Sequence, residues 1–172
     1  MKMNIVAIVG AAATVSVAVV TIFSWITSNR RTRSNVFLEL QKEYGSPEMG
    51  IAIRSVWEFY EKHQKDDFIK AYADQYPLNQ YRHDAIHYQR RQVSHFYSKM
   101  AALRYVHKIL RKKDIGSIWS KGDLRIIPKV LIPIETKALP RALRKSETKL
   151  DKLHISFKNM QRLYDEAEDL DP

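Results

Sequence analysis

The sequence contains no cysteine and is poor in glycine and proline, with 5 and 6 of these residues among 172. Without thiols the chain can form no disulfide, no thiolate metal site and no cysteine nucleophile. Scarce glycine and proline favour long regular elements over a loop-rich β-sandwich. No stretch alternates at a period of two for long enough to predict a strand, so we expect an all-α fold.

Recognisable catalytic signatures are also missing. The five glycines are scattered, so there is no glycine-rich phosphate loop, and there is neither a G-x-S-x-G elbow nor a paired-carboxylate helix motif. His83 and His87 lie at positions i and i+4, from which two rings could reach one metal ion, and His95 lies nearby in the sequence, but there is no His-Glu-x-x-His pattern. We therefore expect no enzymatic activity and no cofactor, and these histidines are only weak candidates for a metal site.

The first 33 residues contain no acidic side chain, and an uncharged run fills residues 5–26. As a helix this run would be about 33 Å long, close to the ~30 Å hydrocarbon core of a bilayer. Its small residues lie in the middle and not at a cleavage site, which favours an uncleaved transmembrane helix over a signal peptide. An interfacial aromatic ring and a basic flank are expected to fix the topology and contact lipid headgroups. These residues are Trp25, Arg30, Arg31 and Arg33.

The apolar and charged residues divide the chain into five predicted segments. They are a short tail (1–4), a transmembrane helix (5–26), a basic juxtamembrane linker (27–35), a cytoplasmic helical domain (36–167) and an acidic tail (168–172). Apolar residues in the domain recur at i, i+3, i+4 and i+7, as on one face of a helix. The fold class predicted is therefore an N-terminal transmembrane helix followed by a compact antiparallel helical bundle.

Several helix boundaries can be predicted from local signals. Ser46 can cap a helix whose first position is Pro47. Pro77 is expected to end the next helix. A seven-residue apolar repeat predicts one long helix from about residue 79 to 113, and prolines are expected to divide residues 123–139 into two short helical pieces.

Positive charge is concentrated in residues 81–127, which hold 11 basic and 3 acidic side chains. Such a stripe can be solvated or paired with the net acidic residues 34–80, or it can bind anionic lipid, an acidic protein or a nucleic acid. Tyrosines interleave with the stripe, but the apolar seam of the same helix is expected to bury some of them, which weakens the nucleic-acid interpretation. The candidate patch for an anionic partner is Arg90, Arg91, Lys99, Arg104, Lys108, Arg111, Lys112 and Lys113.

The order of these segments resembles a group of small, uncharacterised bacterial membrane proteins. The resemblance is carried by RRTRSNVFLELQKEYGSPEMGIAIRSVWEFY, RRQVSHFYSKMAALRYVHKIL and GDLRIIPKVLIPIE. It implies a bacterial origin, one N-terminal span and a helical cytoplasmic part, and it implies no activity and no site residues.

Together these features predict a non-enzymatic, single-pass protein of the inner (plasma) membrane with a cytoplasmic domain that serves as an interaction, scaffold or regulatory module. Its expected partners are the lipid bilayer and either a protein or a second copy of the chain, because small residues recur every four positions in the apolar run. The alternative prediction is a nucleic-acid-binding or defence-type effector that uses the basic helix over residues 90–113.

Overall fold

The computed structural model describes Ser24 and residues 27–63, 67–79, 85–145 and 154–168. The chain divides into two compact units, residues 1–39 and 40–172. The predicted transmembrane helix over residues 5–26 and its Trp25 lie outside the described residues, apart from Ser24. Among the residues that are described, no helix is both long enough and apolar enough to cross a membrane.

Every regular element of the described residues is helical, which confirms the all-α prediction. Two π-helical turns, Ile127–Leu131 and Ile134–Ala138, lie between the sixth and seventh α-helices. The segment predicted as a linker, residues 27–35, is helical and forms the first part of a longer helix. The α-helices are α1 (residues 27–44), α2 (Pro47–His63), α3 (Asp67–Asn79), α4 (Ile86–Tyr105), α5 (Lys112–Gly116), α6 (Lys121–Leu124), α7 (Leu139–Ala142) and α8 (Ile155–Glu168).

The predicted start of α2 is confirmed. The helix begins at Pro47, and the Ser46 hydroxyl accepts a hydrogen bond from the backbone N–H of Met49 at 3.2 Å. The capping side chain thereby satisfies one of the amide groups that a helix N-terminus leaves without an intrahelical acceptor.

The long helix predicted to reach residue 113 ends at Tyr105, so that part of the prediction was wrong. Lys108 adopts the left-handed conformation with φ of 55°. The backbone N–H groups of Ile109 and Leu110 both donate to the carbonyl of Leu103, at 2.9 and 3.2 Å. This turn satisfies a carbonyl that the end of α4 would leave unpaired, and it carries Leu110 into the core, where it is 1% exposed.

Proline does not break the helices where the sequence suggests. Pro77 lies within α3, which continues to Asn79, so the prediction that it ends this helix was wrong. In the proline-containing segment after α6, the N–H of Ile132 donates to the carbonyl of Ile127, five residues back. Since proline has no N–H and its ring crowds the carbonyl four residues earlier, this wider turn lets the helical path continue.

The packing of α4 against α8 corrects the antiparallel prediction. Ser98 contacts Met160 and Arg104 contacts Glu166, and both pairs are separated by 62 residues. Because the separation stays constant as both positions advance, these two helices run parallel. The bundle is therefore not uniformly antiparallel.

α4 lies at the centre of the domain and packs against α2, α3 and α8. Phe96 and Tyr97 on this helix are completely buried. The ring centroid of Phe96 lies 5.4 Å from that of Tyr44 and 6.0 Å from that of Trp119. These rings form an aromatic core on one side of α4, which leaves the polar side chains of the helix to the remaining sides.

Candidate functional site

Arg90, the first residue of the predicted basic patch, lies inside the domain and is 7% exposed. Its guanidinium forms an ion pair with Glu135, which lies in the second π-helical turn, and its Nε donates to the hydroxyl of Tyr72 at 3.2 Å. Burial raises the pKa of Glu135, and the charge and hydrogen bond of Arg90 oppose that rise. Arg90 therefore joins α3, α4 and the π-helical turn and contributes little to the surface charge.

Two further members of the patch are engaged in ion pairs within the domain. The Lys99 ammonium lies 2.9 Å from a Glu43 carboxylate oxygen, so the predicted pairing with the acidic residues 34–80 is confirmed for this side chain. Arg104 pairs with Glu166 of α8, with its Nη2 3.1 Å from the carboxylate. Each of these four side chains is about one quarter to one third exposed, so the pairs also cover the boundaries between helices.

Apart from Arg91 on α4, the remaining cations of the patch lie in the connection after α4 and in the first turn of α5. We call residues 106–113 the basic turn. Lys108, Arg111 and Lys113 are exposed in this turn and Lys112 is half-buried, while Val106 at its start is 59% exposed. The Asp114 carboxylate accepts a hydrogen bond from the Arg111 backbone N–H at 2.8 Å and caps α5. The turn thus presents clustered positive charge beside an exposed apolar side chain.

Tyr105, which immediately precedes the basic turn in the sequence, is already engaged. The guanidinium carbon of Arg162 lies 4.4 Å from the ring centroid of Tyr105, and that of Arg104 lies 5.5 Å from it. Burial raises the pKa of the Tyr105 hydroxyl. The ring is therefore held by cation–π contacts and is not presented to a nucleic-acid base for stacking.

A second polar feature is an open cleft of about 520 Å³ along α4, which we call the α4 cleft. Arg91 and His95 in its lining are exposed, whereas Ser94 is only 6% exposed. The Ser94 hydroxyl has no hydrogen-bond partner within the described part of the chain. None of the described lining residues is acidic. They are Tyr88, Arg90, Arg91, Gln92, Ser94, His95 and Ser98.

The weak metal candidates are not brought into a cluster by the described structure. His83 lies outside the described residues, and His87 is buried on α4, with its ring centroid 5.8 Å from that of Tyr76 on α3. No group of three or more potential ligands that could hold a metal ion occurs among the residues described. His87 is accordingly part of the interface between α3 and α4.

The predicted topology residues are only partly described. Trp25 lies outside the described ranges, as noted above. Arg30 and Arg31 are exposed on α1, and Arg33 is half-buried there. This basic flank is therefore helical.

Comparison with known proteins yields no match. No family model matches the chain, and no curated protein or solved structure is significantly similar to it.

Proposed function

We propose that the chain is a single-pass bacterial inner-membrane protein, anchored by residues 5–26, with a non-enzymatic interaction module on the cytoplasmic side. In this proposal the basic turn rests on the anionic lipid of the cytoplasmic leaflet. The observation that carries the proposal is that some cations of the candidate patch are paired inside the domain while others are exposed at its surface. Arg90, Lys99 and Arg104 are used in internal ion pairs, whereas exposed cations remain clustered in the basic turn.

Anionic lipid suits the basic turn because a bilayer surface presents diffuse negative charge and requires no shaped pocket. Each Lys or Arg near such a surface contributes about 1 kcal/mol. Three exposed cations would bind weakly alone, but an N-terminal anchor raises their effective concentration at the membrane. Val106, beside these cations, offers an apolar side chain to the boundary between headgroups and acyl chains.

The alternative of nucleic-acid binding is less well supported by the geometry. Sequence-independent binding of single strands normally combines a positive groove with aromatic rings on which the bases stack. Beside the basic turn, the Tyr105 ring is occupied by Arg162 and Arg104. The arrangement therefore favours a charged surface that lacks a stacking requirement.

A single introduced cysteine tests the proposal, because the natural chain has none to label. Val106→Cys, carrying an environment-sensitive fluorophore, would be compared in nanodiscs of neutral lipid and nanodiscs containing anionic lipid. Ile51→Cys on α2 is the matched control, because Ile51 is 58% exposed and Val106 is 59% exposed. We expect the fluorophore emission to shift to the blue only at position 106 and only in the nanodiscs that contain anionic lipid. High salt should abolish the shift, because it screens the attraction between the cations and the lipid.

Charge removal provides the second arm of this test. The triple substitution Lys108→Gln, Arg111→Gln and Lys113→Gln should abolish the shift at position 106 and leave the helical content unchanged. Equal emission at position 106 in neutral and anionic nanodiscs would contradict the proposed lipid contact. A shift that survives the triple substitution would show that these cations do not cause it.

A further inference from the structure

The α4 cleft carries polar groups that neither the internal ion pairs nor the basic turn explains. Its volume of about 520 Å³ falls within the range of roughly 300–1,000 Å³ that is typical of small-molecule sites. Arg91 supplies a guanidinium, Gln92 an amide and His95 a ring nitrogen. The charge of Arg90 at the same cleft is already matched by Glu135, so Arg91 contributes the net positive charge.

Ser94 is the strongest indication that the cleft receives a ligand. It is more than nine-tenths buried, yet its hydroxyl has no hydrogen-bond partner among the described residues. Buried polar groups are almost always paired, so an orphaned hydroxyl that lines a cleft indicates an acceptor supplied from outside the chain. Among the described residues, Ser98, one turn further along, donates to the sulfur of Met160 at 3.5 Å, a weak bond that a better acceptor can replace.

We infer that the α4 cleft binds the phosphate group of a small phosphorylated ligand. Donors reach the cleft from three successive turns of α4, at Arg91, Ser94 with His95, and Ser98. A tetrahedral phosphate offers acceptor oxygens in diverging directions, whereas a carboxylate offers two in one plane. The donor set and the absence of acidic groups from the described lining therefore suit phosphate better.

This inference uses residues that are separate from the basic turn, so either proposal can fail without the other. The phosphate can belong to a soluble phosphomonoester or to a lipid headgroup, and the chemistry recognised is the same. Calorimetric titration of the full chain in phosphate-free maltoside micelles, at constant ionic strength, distinguishes these sources. The probes are glycerol phosphate, inorganic phosphate and phosphatidic acid.

We expect saturable binding of at least one phosphomonoester probe. Arg91→Gln should weaken it by about tenfold or more, because a charge-assisted hydrogen bond is lost. Ser94→Ala should weaken it several-fold without lowering the thermal midpoint of unfolding. Arg54→Gln, which removes an exposed arginine from α2, is the matched control and should bind like the natural chain.

Each result of these titrations either supports or overturns the proposed phosphate site. Binding of phosphatidic acid alone, with the same dependence on Arg91, supports the site and assigns the phosphate to a lipid headgroup. Absence of binding for all three probes overturns the inference. Equal weakening by Arg91→Gln and Arg54→Gln also overturns it, because the affinity would then reflect general charge.

Discussion

Replacing Arg90 by methionine should leave the Glu135 carboxylate in the domain interior without its guanidinium partner. The two side chains are 8% and 16% exposed, so water can solvate the stranded carboxylate only in part. Removing one partner of a buried ion pair destabilises proteins by about 3–5 kcal/mol. Glu135 can reduce this penalty by taking up a proton, because burial already raises its pKa. We therefore expect a loss near the lower end, about 3 kcal/mol.

A double substitution separates the stranded charge from lost packing. Arg90→Met with Glu135→Leu removes both charges and keeps apolar volume at the two positions. Replacement of a buried pair by apolar residues is often neutral or stabilising, so the double variant should lose less than about 1.5 kcal/mol. Part of that loss comes from Tyr72, whose hydroxyl no longer receives the Arg90 hydrogen bond.

The assay is urea unfolding of the full chain in maltoside micelles, followed by circular dichroism at a helical wavelength. Arg141→Met on α7 is the control, because Arg141 is exposed and its replacement should change the free energy of unfolding by no more than about 0.5 kcal/mol. An Arg90→Met variant as stable as this control would contradict the expected cost of the stranded carboxylate. A double variant that loses the sum of the losses of Arg90→Met and Glu135→Leu would also contradict it, because the two side chains would then not be coupled.

Three further predictions concern pH and local backbone structure. Burial raises the pKa values of Tyr44, Tyr72, Tyr97 and Tyr105. Their stabilising contribution is complete below about pH 10, the pKa of tyrosine in the unfolded chain, and it is lost as the pH rises further. Tyrosinate absorbance should therefore appear in two steps, and the later step should coincide with unfolding. Ser46→Ala should lower the free energy of unfolding by about 1 kcal/mol through loss of the α2 cap, whereas Ser34→Ala should change it by at most about 0.5 kcal/mol. Lys108→Gly should raise the free energy of unfolding by up to about 1 kcal/mol and Lys108→Val should lower it, both in the urea assay, because φ is positive at this position. A single tyrosine step, a silent Ser46→Ala change or a stable Lys108→Val variant would contradict the respective prediction.

Local signals predicted the elements that depend on local chemistry. The start of α2 follows from Ser46 and Pro47, because capping acts within one turn of the helix. The end of α4 was not predictable in this way, since it depends on carrying Leu110 into a core built by distant segments. The proline rule also failed at Pro77, because α3 continues through this residue to Asn79.

For the cationic patch too, local sequence signals could not reveal the contacts with distant segments. Its residues were identified by spacing, but the partners of Arg90 and Arg104 lie 45 and 62 residues away, so spacing could not reveal which cations are paired. One signal was available in the sequence: Glu135 is the only acidic residue between Leu124 and Leu143, in a largely apolar stretch. An isolated acid in such a stretch indicates a buried charge that needs a partner.

The most direct test of the proposed function is labelling of Ile51→Cys, an exposed position on α2 outside the basic turn, with a membrane-impermeant maleimide in vesicles of defined orientation that have been washed at alkaline pH. The cysteine-free background makes position 51 the only reactive thiol. A membrane-anchored chain with a cytoplasmic domain predicts that the protein stays in the washed membranes and is labelled only in inside-out vesicles. Release of the full-length protein by the alkaline wash, or labelling in sealed right-side-out vesicles, would contradict it.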